Sequence, residues 1–173
     1  MIICFSGTPG TGKTTLAKKL FKVLKENKTS FSKRYNDIIF YDNEKVIKEY
    51  PTIFVDYDEK KDTKIIDESL LTDFFNKIKS DEKIIIFDSH LSIYLNPNIV
   101  DYLFITKANI KNLRNRLKKR SYNKDKIEEN IQSEIFDICY VDSKELNHKN
   151  VYKINTDKSI KESFKEIKNI LVN

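Results

Sequence analysis

All three glycines of this chain fall within six residues, at Gly7, Gly10 and Gly12, and none follows in the remaining sequence. They belong to Gly7-Thr8-Pro9-Gly10-Thr11-Gly12-Lys13-Thr14, which matches G-x-x-x-x-G-K-[ST], with Thr15 next. The apolar run Ile2-Ile3-Cys4-Phe5 precedes this motif, as a buried parallel strand would. From Lys13 onward Leu16, Leu20, Val23 and Leu24 recur at helical spacing. Strand, glycine loop and helix together make a phosphate-binding loop. Its backbone N–H groups turn inward on phosphate oxygens, and the helix N-terminus adds partial positive charge. Lys13 is expected to reach the β- and γ-phosphates of a nucleoside triphosphate, and the Thr14 hydroxyl to ligand Mg²⁺.

The same glycine count separates the subclasses of such proteins. A GTPase switch (D-x-x-G) and a transporter signature each need a glycine beyond position 12, and no N-K-x-D guanine-reading motif occurs. At 173 residues the chain is short for an AAA-type machine. A compact nucleotide kinase or a small dedicated ATPase remains.

Length fits one domain with a sizeable core. The net charge of +6 favours anionic partners mildly. Cys4 and Cys139 are far apart and His90 and His148 are the only histidines, so no zinc spacing exists. Two cysteines argue against a disulfide scaffold and suit a reducing, cytoplasmic setting. The longest apolar runs, such as Ile84 to Phe87, are too short to span a membrane. The apolar start lacks a basic n-region and runs straight into the motif, so no signal peptide is expected.

Further along, Asp67 to Ile78 reads as a helix with Leu70, Leu71, Phe74, Phe75 and Ile78 on one side. Ile84 to Phe87 is a second buried strand, ending at Asp88. Val100 to Thr106 is a third, followed by a helix burying Ile110, Leu113 and Leu117. Another helix carries Ile127, Ile131, Ile135 and Ile138 inward. Val151 to Asn155 makes a last strand, and Ser159-x-x-Glu162 is a capping box opening a final helix. In that helix Ile160, Phe164, Ile167 and Ile170 or Leu171 form the buried stripe. The stretch from Asn27 to Tyr57 is polar, aromatic and weakly periodic, and receives no assignment. Strands alternating with helices imply a parallel sheet covered on both faces: a three-layer α/β fold.

Asp88 ends its strand where α/β folds place ligand groups, and is expected to hold the magnesium shell. His90 is either a plain hydrogen-bonding residue or a group that positions a water or hydroxyl near the γ-phosphate. Between Lys107 and Lys126 stand nine basic residues and one acid, Asp125. Such a run is ordinarily a solvated helix face, and the lysines are read that way. The arginines differ, because Arg114, Arg116 and Arg120 are three of only four in the chain and a guanidinium binds phosphate bidentately. Arg116 and Arg120 are expected to close over ATP. RNA contact is a rival use of this charge, and no RNA-recognition motif supports it.

GTPGTGKTT at 7–15, FDSH at 87–90 and RSYNKDKIEENIQSEIF at 120–136 together resemble the atypical adenylate kinases of archaea and eukaryotic nuclei. That family is known as adenylate kinase isoenzyme six, or coilin-interacting nuclear ATPase. The acidic DYDEKKDTKIIDE at 56–68 is a weaker echo. The resemblance implies a P-loop core of about five strands, with a nucleoside-monophosphate-binding insert at about 27–66 and a small lid at about 119–129. It implies phosphoryl transfer from ATP to AMP, ATP hydrolysis, and a small-subunit ribosomal protein partner during late maturation of that subunit. By position, Gly10, Gly12, Lys13, Thr14 and Thr15 would hold the ATP phosphates and Arg120 would reach them from the lid. Asp88 and His90 match the family's Asp-x-His motif.

Two departures stand out. Ser121 replaces the glycine usual in the lid and is expected to stiffen its hinge. The region before Asp56 is longer than usual and lacks the family's AMP-site pattern. Arg34 is the only arginine before Arg114, so an AMP phosphate would fall to Arg34, lysines or backbone. The expected reaction is in-line transfer to AMP with Mg²⁺, Lys13, Arg116 and Arg120 neutralising the developing charge. An ATP-switched assembly factor with residual kinase activity, and a kinase for another small acceptor, are the alternatives. Tyr35, Tyr41 and Tyr50 are read as packing residues rather than base-stacking ones.

Overall fold

A computed structural model describes residues 1–26, 34–59 and 63–172. Strand β1 (Ile2–Ser6) leads through the glycine loop into helix α1 (Lys13–Glu26). Then come β2 (Asp37–Asp42), α2 (Asn43–Glu49), β3 (Phe54–Asp58), β4 (Thr63–Ile66), α3 (Glu68–Ile78) and β5 (Lys83–Asp88). A 3₁₀ turn over His90–Tyr94 precedes β6 (Tyr102–Lys107), α4 (Ile110–Lys119), α5 (Lys124–Ile135) and α6 (Ile138–Glu145). The chain closes on β7 (Val151–Asn155) and α7 (Ile160–Val172).

The main sheet has five strands in the order β2-β5-β1-β6-β7, every pair parallel. Because side chains alternate along a strand, a sheet buried on both faces needs apolar residues at successive positions. β1 meets this demand throughout. Ile3 and Phe5 face a cluster with Leu16, Leu20, Phe164 and Ile167 from α1 and α7. Ile2 and Cys4 face the other side with Leu71, Phe74, Phe75 and Ile93. Cys4 is fully buried there. β5 divides in the same way, with Ile84 and Ile86 toward α1 and Ile85 and Phe87 toward α3. The result is the expected three-layer P-loop NTPase fold.

Helix ends follow the sequence closely. The Asp67 side chain caps α3 by accepting from the Leu70 N–H at 2.9 Å. Ser159 and Glu162 form the expected reciprocal box: the Glu162 N–H donates to Ser159 Oγ at 3.2 Å and the Ser159 N–H to Glu162 Oε2 at 3.1 Å.

The structure corrects several expectations. The unassigned stretch contains β2, an edge strand whose Ile38 and Tyr41 are buried. Of the segment 27–66, residues 27–33 and 60–62 lie outside the described residues, and β2 belongs to the main sheet. What stands apart from that sheet is α2 and the antiparallel ribbon β3–β4. The third strand begins at Tyr102, and the preceding Asp101 meets β1 through its carboxylate, which accepts from the Ile2 N–H at 2.6 Å. The helix expected to bury Ile135 and Ile138 ends at Ile135, where Asp137 takes a left-handed φ of 56°. Ile135 is 59% exposed and Ile138 41%, and Glu134 takes the inward place. Ile160 is likewise exposed at the start of α7. Tyr41 and Tyr50 do pack, edge-on and stacked respectively against Phe74.

Candidate phosphate-binding site

The C-terminal ends of β1, β2, β5 and β6 open on one edge of the sheet, and the glycine loop lies across it. Gly7 has a φ of +132°, and a Cβ placed there would stand 2.5 Å from the Thr106 carbonyl oxygen. Only glycine lets the loop leave β1 against β6 in this way. The Thr8 carbonyl then accepts from both the Thr11 N–H (3.2 Å) and the Thr11 hydroxyl (2.7 Å). Thr11 Oγ1 also lies 2.7 Å from Thr106 Oγ1, which joins the turn to the end of β6.

Lys13 opens α1, where it feels the charges of Asp88, Cys139, Arg120 and Glu134. Burial lowers its pKa, and Asp88 is the main charge opposing that fall. Asp88 is 8% exposed at the end of β5. Burial raises its pKa, while a hydrogen bond from Thr14 and the charge of Lys13 pull it down. Its Oδ1 is buried without a hydrogen-bond partner among the described residues. An orphaned carboxylate oxygen beside a threonine hydroxyl forms a hard-oxygen donor pair of the kind that suits Mg²⁺.

His90 opens the 3₁₀ turn directly after Asp88 and Ser89. Its ring keeps contact with solvent, and its pKa falls through crowding by the protein and the nearby Lys13 charge. The turn is held from several sides. The Ser89 hydroxyl accepts from the Leu91 N–H, Ser6 Oγ donates to the His90 carbonyl, and His148 Nε2 sits 2.7 Å from the Ile93 carbonyl.

On the α4 side a cleft of about 410 Å³ is lined by Gly10, Gly12, Thr15, Arg116, Arg120 and Thr156, among others. The Arg116 guanidinium is engaged there. Its Nη2 donates to the Thr156 carbonyl at 2.7 Å, and its Nη1 to Thr156 Oγ1 at 3.0 Å and to the Gly10 carbonyl at 3.4 Å. Arg116 therefore fixes the loop and the cleft wall from the protein side. Arg120, the exposed C-cap of α4, lines the same cleft. Ser121 follows with a φ of 56°, a conformation glycine adopts freely and serine at a cost of roughly 1 kcal/mol. Arg114 points elsewhere and pairs bidentately with Glu128 of α5.

Sequence reasoning missed Glu134. Its buried carboxylate accepts from Thr8 Oγ1 at 2.6 Å and from the Ala108 N–H at 2.9 Å, with Lys107 Nζ at 3.1 Å. It also missed Cys139, which is half-buried, hydrogen-bonded to Ser6 and close to Lys13. Arg34 is a correction of another kind. It lines a cleft with Met1, Lys79 and Asp101 at the N-terminal ends of the strands, opposite the glycine loop, so it does not serve an acceptor phosphate there. Near the end of β2, Lys45 Nζ donates to the Phe40 carbonyl at 3.1 Å, and Lys64 pairs with Glu44 at 2.8 Å.

No helix among the described residues is long and apolar enough to cross a membrane. The family model described as AAA domain (AAA_18) matches residues 3–137. The chain is 37% identical to the protein named "Putative adenylate kinase" of Methanocaldococcus jannaschii, over 90% of this chain and 77% of that one. It is 34% identical to the protein of the same name from Methanosarcina barkeri, over 99% and 86%. Among solved structures, shikimate kinase from Bacteroides thetaiotaomicron superposes with a TM-score of 0.63 at 15% identity, covering 100% of this chain and 99% of that one. Chaetomium thermophilum Kti12, solved in complex with ADP-AlF3, superposes with a TM-score of 0.60 at 13% identity, covering both chains fully. These two likenesses concern the fold.

Proposed function

The chain belongs to the AAA_18 P-loop family and to the group of archaeal proteins named "Putative adenylate kinase", and from that membership we propose that it is an adenylate kinase. The reaction is transfer of the ATP γ-phosphoryl to AMP, giving two ADP. The observation that carries this reading is Lys13 and Thr14 of the glycine loop set against Asp88 at the end of β5, with Arg120 lining the cleft beside Gly10 and Gly12.

In this reading the loop N–H groups and the start of α1 cradle the ATP phosphates through Gly10, Gly12, Thr14 and Thr15. The bond from the bridging oxygen to the γ-phosphorus breaks as an AMP phosphate oxygen bonds to that phosphorus. Lys13 and Arg120 offset charge on the transferring group, and Arg116 keeps loop and cleft wall in register. Thr14 and Asp88 would hold Mg²⁺, which when bound supplies positive charge to the phosphate oxygens. His90, neutral at neutral pH because its pKa is lowered, orients the incoming group. Residues 119–129 act as the lid, and α2 with the β3–β4 ribbon forms the acceptor-binding insert.

A second reading has a specific observation behind it. Among the described residues, Arg34 lies at the far end of the sheet, and Lys45 and Lys64 are engaged by Phe40 and Glu44, so none of these three is set for an acceptor phosphate. That arrangement favours an ATP-switched factor with residual kinase activity. The motif resemblance at 7–15, 87–90 and 120–136 would then extend to ATP hydrolysis and a small-subunit ribosomal protein partner.

ADP formation from Mg-ATP, with and without AMP, separates the two, with Lys13→Ala as blank. An AMP-dependent rise of tenfold or more is expected of the kinase. Slow hydrolysis indifferent to AMP would sink that reading and leave the switched factor.

A further inference from the structure

The phosphate loop is tied to the α4–α5 hairpin at two points. Arg116 of α4 reaches the Gly10 carbonyl, and Thr8 reaches Glu134 near the end of α5. The second tie is the stronger: a buried hydroxyl donating to a buried carboxylate at 2.6 Å, the short distance expected of a charge-assisted bond. Thr8 is also the hub of the loop, since its carbonyl takes both bonds from Thr11.

From this geometry we infer that Glu134 is a positioning residue. It holds the phosphate loop in its anion-binding form and sets the hairpin that carries Arg120 against that loop. The inference rests on the nucleotide-binding reading of the loop.

A buried carboxylate is a costly way merely to fill space, because an apolar side chain of similar volume would pack α5 as well. What it adds is two fixed acceptors. Oε2 takes the Thr8 hydroxyl, while Oε1 takes the Ala108 N–H and lies 3.1 Å from the Lys107 ammonium. Three elements are thereby located relative to one another: the phosphate loop, the turn after β6 and the helix after the Arg120 corner. Lys107 also pairs with Asp137 at 2.9 Å, which fixes the chain just beyond α5. Removal of the Thr8 hydroxyl leaves Oε2 buried without its donor and frees the hub of the loop to rotate.

The test uses Thr8→Val, Thr8→Ser, Glu134→Gln and the double variant Thr8→Val/Glu134→Gln. ADP affinity by calorimetry and kcat/KM for ATP are measured well below each variant's Tm. Thr8→Val and Glu134→Gln are each expected to weaken ADP binding at least fivefold and to lower kcat/KM ten- to a hundredfold. The double variant should be no more than twofold worse than the worse single one, because both act on the same contact. Thr8→Ser, which restores the hydroxyl, should recover most of what Thr8→Val loses. A Thr8→Val protein with lowered Tm but less than a twofold change in affinity and kcat/KM would overturn the inference, as would multiplicative losses in the double variant. Should Glu134→Gln fail to fold, the valine and serine pair at position 8 still decides. Should the unaltered chain bind ADP but turn over no ATP, the kinase reading fails and the affinities alone judge Glu134.

Discussion

Thr14 closes the glycine loop and Asp88 closes β5, and their side chains meet: the threonine hydroxyl is a hydrogen-bond partner of the carboxylate. Burial nevertheless outweighs that bond and the Lys13 charge, leaving the Asp88 pKa raised. A carboxyl raised in the folded state stabilises most below its unfolded pKa, and that contribution is lost as pH rises through the folded value. Asp88→Asn should therefore be more thermostable than the unaltered protein at neutral pH. The gap should open as pH rises from about 4 and level off above the raised value. The same substitution should cut Mg-ATP turnover by about a hundredfold or more. Melting curves from acid to neutral pH check the first part, and an equal Tm at pH 7 would contradict it.

Lys13 carries the opposite charge under the same constraint. Its lowered pKa means that the folded state resists holding the ammonium, so stability rises with pH from the lowered value up to the unfolded one near 10.5. Lys13→Met keeps the stem and deletes the charge. At pH 7 it should match or exceed the unaltered protein in Tm while losing at least tenfold in ADP affinity. Paired denaturation and calorimetry read both quantities on one preparation.

Arg114 and Arg116 sit two residues apart with unlike partners. Arg114 spans to Glu128 in solvent, and Arg116 binds Thr156 and Gly10 beside the cleft. A lysine cannot reproduce the two-nitrogen grip of Arg116. Arg116→Lys should raise KM for ATP about tenfold, whereas Arg114→Lys should leave it within twofold. Steady-state kinetics on the two variants is sufficient.

Gly7→Ala confronts a φ of +132° and an oxygen 2.5 Å from the new Cβ. Because the obstacle is the Thr106 backbone, no side-chain rotation relieves it. A destabilisation of ~2–4 kcal/mol is expected in chemical denaturation.

The parts of this molecule that were legible before folding share one property: local sequence decides them. The glycine loop, the strand ending in Asp88, the capping box at Ser159 and the strand Val151–Asn155 each follow from contiguous residues. β2 was equally local, since Ile38 to Tyr41 is an apolar run flanked by Asp37 and Asp42, but a polar neighbourhood concealed it. Glu134 is different in kind. A glutamate in the helix KDKIEENIQSEI reads as solvated, and only its place seven residues after Ile127 on the inward stripe hints otherwise. Its partners Thr8 and Ala108 are 126 and 26 residues away, which no periodicity reports. Which of Arg34, lysines or backbone could meet an acceptor phosphate was undecided for the same reason, because the place of Arg34 opposite the loop is a property of the sheet and not of the sequence.

The two thiols occupy unlike places, one sealed inside β1 and one beside the Lys13 ammonium. Both have raised pKa values, so neither is a ready nucleophile at rest. They nonetheless work as native reporters on separate motions. Alkylation of Cys4 requires the sheet itself to come apart and reads global unfolding. Cys139, half-buried against Ser6 and near Lys13, should react without the sheet opening, and a nucleotide bound at Lys13 should slow it without altering the Cys4 rate.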